Sequence, residues 1–184
     1  MKKISLSYIG LFLLVLMLGL NACSSKKKIS NAQKRDLKAA FTDLKHDVPE
    51  ALVTYEDNQV KLVFPEAVLF EVYSTEILPS YMPTMAKIAK VLNKYPDVSV
   101  LITGYTDTSG SDELNDKLSW GRAESAKQAL LQYEVKNKRI YTWGFGSKNP
   151  VASNATAEGR KQNRRVEMVI LYDFQDEFKN KYQQ

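Results

Sequence analysis

Between Pro65 and Tyr172 the spacing of apolar residues switches repeatedly between strand and helix periods, and this alternation constrains the fold more than any other feature of the chain. Ala67 to Phe70 is apolar and reads as extended. Met82, Met85, Ala89 and Leu92 then fall on one face of a helix from about Ser80 to Tyr95, which Pro96 ends. The methionines read as core filling, because an unbranched thioether adapts to irregular gaps. Val98 to Gly104 alternates as a strand buried on at least one face. A polar, glycine-containing loop from Tyr105 to Asp112 leads into a second helix reaching Tyr133, with Leu118, Ala123, Ala126 and Leu130 as its inward stripe. Ile140 to Phe145 is a third strand; a loop with Gly146, Pro150 and Gly159 precedes a last strand, Val166 to Tyr172. The order strand, helix, strand, helix, strand, strand predicts an α+β fold, a two-layer sandwich with helices on one face of a mixed β-sheet.

Upstream, Leu37, Ala40, Phe41 and Leu44 recur at helical spacing and predict a helix from Ala32 to Asp47, ended by Pro49. Ala51–Tyr55 and Val60–Phe64 flank Glu56-Asp57-Asn58-Gln59, which predicts a hairpin. The start of the chain has three parts: Lys2-Lys3, an apolar run from Ile9 to Leu20, then Leu20-Asn21-Ala22-Cys23. That is the layout of a secretory signal peptide, and its core is short for a membrane span of about 20 residues. The last four residues resemble a lipobox. The resemblance implies cleavage before Cys23 and acylation of its thiol and amine, which anchors more firmly than one chain. Ser24 stands where an Asp would favour inner-membrane retention, so the expected location is the outer membrane, lipid-anchored, with the domain facing the periplasm. Lys26-Lys27-Lys28 either touch acidic head groups or belong to a solvated tether. The expected division is a signal peptide over 1–22, acylated Cys23 with tether and helical spacer over 23–50, a domain over 51–173 and a polar tail over 174–184.

Cys23 and His46 are the only cysteine and histidine, which argues against an internal disulfide and against a zinc or iron site built on those ligands. No cofactor is expected. The net charge is +5 with Lys2 and Lys3 included, too mild to argue for nucleic acid. Glycan cleavage needs two carboxylates with separated protonation roles; Glu113 and Asp116 lie near Asp107, but in a polar setting. A nucleophile with an oriented base is not visible either, so the chain is expected not to be an enzyme.

One constellation remains. Thr103-Gly-Tyr-Thr-Asp-Thr-Ser-Gly110 is followed by Asn115 and by Leu118-Ser-Trp-Gly-Arg-Ala123. Farther on come Gly144-Phe-Gly-Ser-Lys-Asn-Pro150, then Asn154, Thr156, Gly159-Arg160 and Asn163-Arg-Arg-Val-Glu167. Asp107 sits in a glycine-flanked loop after a buried strand, and Arg122 lies one helical turn beyond Leu118. Consecutive strand and helix must pack together, so acid and base can face one cleft and suit a zwitterion. They can equally form only a loop-to-helix salt bridge.

These motifs, with spacings intact over roughly residues 65 to 173, resemble the C-terminal peptidoglycan-binding domain of the outer-membrane protein A family. With lipidation and no barrel, the chain looks nearest to the peptidoglycan-associated lipoproteins. The resemblance implies that Asp107 receives the ammonium of meso-diaminopimelate in the wall's stem peptide, and that Arg122 forks onto its carboxylate. It further implies Leu118 and Asn115 at the ligand, backbone donors from Thr106 to Gly110, and Arg160 and Arg164 at the border of the cleft. Tyr141 and Trp143 could stack on sugar, though their alternation fits a sheet face better. The pattern departs from the family at Tyr105 for a histidine, at Gly121 for an arginine, and at Val72-Tyr73, where relatives often carry Phe-Asp lining the cleft. The implied function is an outer-membrane lipoprotein that tethers that membrane to peptidoglycan. The alternative is an accessory of an envelope assembly whose partners are proteins, with Ala32–Asp47 and the hairpin as its surface.

Overall fold

The computed structural model describes residues 29–172. Helix α1 (Asn31–Asp47) opens with a capping box: Ser30 Oγ accepts from the Gln33 amide, and Gln33 returns the bond to the Ser30 amide. Strands β1 (Leu52–Glu56) and β2 (Gln59–Pro65) form the expected hairpin. Asp57 and Asn58 take φ of 49° and 58° at its two-residue turn, the left-handed pair that matches strand twist.

Next come α2 (Glu66–Leu69), a 3-10 turn (Pro79–Tyr81), α3 (Met82–Lys94), β3 (Ser99–Tyr105) and α4 (Asp112–Gln132). A second 3-10 turn (Asn137–Arg139), β4 (Ile140–Gly144), α5 (Ala157–Asn163) and β5 (Arg165–Leu171) complete the described chain. The sheet order is β1-β2-β5-β3-β4, antiparallel except for the parallel pair β3–β4. One face carries Val60, Leu62, Phe64, Val100, Ile102, Val166, Met168 and Ile170, all buried against Leu37 and Leu44 of α1, Met85 and Ile88 of α3, and Ala123 and Ala126 of α4. The α+β sandwich with one helical layer over a mixed sheet is what the alternation predicted.

Two local expectations fail. Ala67 to Phe70 is not a strand: Glu66–Leu69 is a single helical turn, closed by the Phe70 amide on the Glu66 carbonyl at 3.0 Å, and Phe70 only bridges Ile77. The strand before α3 is instead β2, the second arm of the hairpin. Four apolar residues are too few for periodicity to tell a helical turn from a strand. The loop before β5 also hides α5, started by Thr156 Oγ1 accepting the Gly159 amide at 3.1 Å.

Helix α1 is part of the same core, with Leu37, Ala40, Leu44 and Val48 at most 1% exposed. Cys23, the signal segment, the lysine tether and residues 173–184 lie outside the described residues.

Candidate functional site

Helix α4 lies on β3 and β4 almost without spacing. A Cβ on Gly104 would come within 2.0 Å of the Ser119 carbonyl oxygen, and one on Gly144 within 2.4 Å of the Trp120 amide nitrogen. These glycines bring the helix down to the sheet, and with it Asn115, Leu118 and Arg122 to the end of β3. There the chain leaves the sheet as Tyr105-Thr106-Asp107. The Thr106 amide donates to the Gly146 carbonyl at 2.8 Å, and the Asp107 side chain accepts the Ser109 amide at 2.7 Å. Ser111 then caps α4 through the Leu114 amide.

The result is a pocket of about 320 Å³ bordered by Glu66, Thr106, Asp107, Asn115, Leu118, Arg122 and Arg164, with Phe70 and the turn Glu71-Val72-Tyr73 around it. Four of these side chains form a relay of charge. Asp107 Oδ2 meets Arg164 Nη1 at 2.5 Å, Arg164 Nε meets Glu66 Oε2 at 2.8 Å, and Glu66 Oε1 takes Arg122 Nη2. Arg122 Nε also donates to the Ser74 carbonyl at 3.0 Å, and its guanidinium stands 5.5 Å from the Phe70 ring centre. Asp107 and Arg122 therefore face one pocket without pairing with each other; Arg164 and Glu66 stand between them.

Burial works against ionisation of Asp107, but the Arg164 bond and the Ser109 amide outweigh it and hold its carboxyl below the ordinary value. Burial likewise lowers Arg122, opposed by Glu66, whereas the two carboxylates raise Arg164 despite its burial. Each of these groups remains charged near neutrality. Two polar atoms are left over. Thr106 Oγ1 and Asn115 Nδ2 are buried on residues that border the pocket, and neither finds a hydrogen-bond partner among the described residues. Such groups are uncommon and need a reason.

Six residues singled out from the sequence border the pocket: Thr106, Asp107, Asn115, Leu118, Arg122 and Arg164. Gly110 and Arg160 do not. Gly110, at φ 88°, serves the turn into α4, and Arg160 Nη1 donates to the Asn154 and Ala155 carbonyls, holding the loop before α5. The expected backbone donors are partly spent, since the Thr106 and Ser109 amides are bonded within the fold. Asn163 and Arg165 flank Arg164 but face elsewhere. Asn163 ties down Val151, Ala152 and Asn154, and Arg165 lies over the Tyr105 ring on the other face of the sheet. Trp143 and Tyr141 are on that outer face as well, away from the pocket. Sequence reasoning missed Glu66, whose only signal is a lone acid within the apolar stretch Val60–Phe70.

A family model described as the OmpA family matches residues 69–164, just over half of the 184-residue chain. The chain belongs to the OmpA family. The match includes the Asp107 loop and α4 and ends at Arg164, leaving Glu66 outside it. This OmpA-family chain is 42% identical over 118 residues to the probable lipoprotein YiaD of Escherichia coli strain K12, covering 64% of itself and 54% of that protein. It is 44% identical over 94 residues to the peptidoglycan-binding protein ArfA of Mycobacterium tuberculosis strain H37Rv, covering 51% of itself and 29% of that protein. The chain thus spans about half the length of the first relative and under a third of the second. Among solved structures it resembles the cell wall anchor of the T6SS from Pseudomonas aeruginosa, with a TM-score of 0.64 and 28% identity, covering 74% of this chain and 97% of that one.

Proposed function

We propose that the chain is an outer-membrane lipoprotein that holds peptidoglycan non-covalently through the zwitterionic end of meso-diaminopimelate, tethering that membrane to the wall without cutting it. The observation that carries the reading is the pocket's combination of balanced charge with unspent polar atoms. Asp107 and Glu66 offset Arg122 and Arg164, while Thr106 Oγ1 and Asn115 Nδ2, on residues that border the pocket, have no partner among the described residues. A zwitterion enters such a site without disturbing its net charge, whereas a singly charged ligand adds an uncompensated charge to a partly desolvated place.

On binding, the ligand's ammonium competes with Arg164 for Asp107. Arg164 is the residue that yields, since its side chain is 36% exposed against 2% for Arg122. The ligand's carboxylate then takes guanidinium N–H groups and Asn115 Nδ2, and Thr106 Oγ1 bonds the ammonium. Each buried polar group satisfied in this way recovers about 1–3 kcal/mol of desolvation penalty. The lipobox at Leu20–Cys23 supplies the membrane attachment, and the names borne by the similar proteins support both halves of the reading.

The test is sedimentation of the full chain with purified sacculi. Parent protein should pellet, free meso-diaminopimelate should release it, and lysine, which lacks the second carboxylate, should release it poorly. A folded Asp107→Ala variant that pellets like the parent would show that the pocket is not the wall-binding site. Release of soluble wall fragments would instead reveal an enzyme. Cys23→Ala should abolish palmitate labelling, and unchanged labelling would remove the lipoprotein half of the reading.

A further inference from the structure

Helices α1 and α3 form the basic side of the molecule. Together they carry seven basic side chains against three carboxylates, a net charge of +4 with His46 neutral. The remaining described residues carry twelve against fifteen, a net charge of −3. On α1, Lys34, Lys38 and Lys45 recur at i, i+4 and i+11 and share one flank, whereas Asp36, Asp43 and Asp47 recur at i, i+7 and i+11 and share another. The acids are engaged: Asp36 accepts the Tyr172 hydroxyl, Asp43 pairs with Lys94 of α3 at 2.7 Å, and Asp47 meets His46. The bases are not. Arg35, Lys38, Lys45, Lys87 and Lys90 are exposed, and none is ion-paired among the described residues.

This basic side stands close to Cys23 in the chain. Seven residues, 24–30, separate Cys23 from α1, and fully extended they span at most about 25 Å. That is less than the width of a body of this size. Holding α1 also holds the domain, because Leu37, Ala40, Leu44 and Val48 fix the helix in the common core. The chemistry of the face favours head groups over a protein. A protein interface needs an apolar centre, and none of the exposed large apolar side chains among the described residues lies on α1 or α3.

We infer that the exposed bases of α1 and α3 seat the domain on anionic phospholipid head groups, a folded contact in addition to the acyl anchor and the lysine tether. The seat rests on the lipoprotein reading above. Attraction to such a surface accumulates with each base and fades within a Debye length, about 8 Å at physiological salt. No residue of α1 or α3 borders the pocket, so a seated domain keeps it open.

The test is amine labelling of the full chain, purified with its lipid and placed in discs of phosphatidylcholine with or without phosphatidylglycerol. Mass spectrometry reads how fast a water-soluble acylating reagent reaches each lysine. With phosphatidylglycerol, Lys38, Lys45, Lys87 and Lys90 should react at least about fivefold more slowly than in phosphatidylcholine alone. Lys117 on α4 and Lys148 in the loop after β4 should change by less than about twofold. Salt at about 1 M, where the Debye length is about 3 Å, should remove the protection. A variant carrying Arg35→Gln, Lys38→Gln and Lys87→Gln should melt as the parent does, and its Lys45 and Lys90 should lose most of their protection. Equal labelling in both discs, with acyl groups on Cys23 seen in the same spectra, would overturn the seat and leave the lipoprotein reading standing. Protection in whole envelopes but in neither disc would also overturn it, by assigning the face to a protein. A chain without acyl groups removes the lipoprotein reading and the seat with it.

Discussion

The two ends of the sheet each bury an arginine, and the two arginines are bound in opposite ways. At the start of β3, Arg139 is 7% exposed and donates only to backbone carbonyls: Val98 at 2.8 Å, Leu92 at 2.7 Å and Tyr95 at 2.8 Å. It ties the C-terminal end of α3 to the strand that follows, satisfying carbonyls a helix end leaves open. At the far end of β3, Arg122 is 2% exposed but shares a carboxylate, Glu66, with a second and more exposed arginine. Burial lowers the pKa of both. The difference lies in the partners. Carbonyls in a folded backbone cannot be exchanged for a ligand, whereas a carboxylate shared by two cations can release one of them. A buried arginine by itself therefore says little about function; a buried arginine in a network with a more exposed member and orphaned polar neighbours says more.

The largest effect expected is at the closed end. Arg139→Ala leaves three carbonyls without their donor, and at roughly 1–3 kcal/mol for an unsatisfied buried group, relieved in part by water, the loss should be about 3–4 kcal/mol. In a body of this size that lowers the melting temperature by roughly 10 °C, measurable by circular dichroism. The molecules still folded should bind sacculi as the parent does. If they bind as poorly as a pocket variant, the separation of the two ends is wrong.

Arg122→Ala should show the reverse balance. Sacculus binding should fall well over tenfold, in line with about 2–5 kcal/mol for removing one partner of a desolvated charged contact. Its melting temperature should drop less than that of Arg139→Ala, because Arg164 still neutralises Glu66. Arg122→Lys should also lose binding, since an ammonium cannot supply the planar fork. Full binding by Arg122→Lys would mean that only charge matters at this position.

How much of this was legible before the structure depends on the range of the signal. The helical layer, the hairpin and the five strands follow from periodicity, because each is long enough to repeat. Helix α5 and the turn at Glu66 are too short for that, and both help to place residues at or near the pocket. Asp107, Asn115, Leu118 and Arg122 were visible because the Thr103–Ala123 motif keeps them close in the chain. Glu66 and Arg164 join the same network from opposite ends of the domain, and the ladder that brings them together, β2 on β5 with Pro65 opposite Arg165, is tertiary. Arg164 was found through its motif, but its bond to Asp107 across 57 positions was not. Gly104 shows the reverse case, a motif residue whose reason became physical only when Ser119 was seen against it.

A smaller effect sharpens the open end through pH. The folded carboxyl of Asp107 lies below its ordinary value, so it contributes stability above the unfolded value of about 3.9 that is lost as pH falls through the folded one. Asp107→Asn should therefore lose stability near neutrality and show a flatter decline below about pH 4. Urea midpoints measured from pH 6 to pH 2 give the two slopes directly. Parallel curves for parent and variant would mean that the Asp107–Arg164 pair adds nothing net.

The smallest effect belongs again to the closed end, where Tyr172, just past β5, donates its hydroxyl to Asp36 of helix α1 at 3.1 Å. This bond clips the last described residue to the first turns of the first helix, and it is partly exposed. Tyr172→Phe keeps the ring and removes only the hydroxyl, so the cost should be about 1 kcal/mol or less, a few degrees in melting temperature. Burial together with the Asp36 carboxylate pushes the phenol up to about 12 from the ordinary 10. A raised folded value means that the contribution is complete below about pH 10 and disappears as pH rises through about 12. Parent and variant should therefore differ by a constant amount from pH 6 to pH 9, and the parent should lose its advantage only in strong alkali. The Tyr172 hydroxyl lies at the other end of the sheet from the pocket, so sacculus binding by the variant should be unchanged over the neutral range. A loss of binding in Tyr172→Phe would mean that α1 transmits its position to the pocket, and that the two ends of the sheet are not independent.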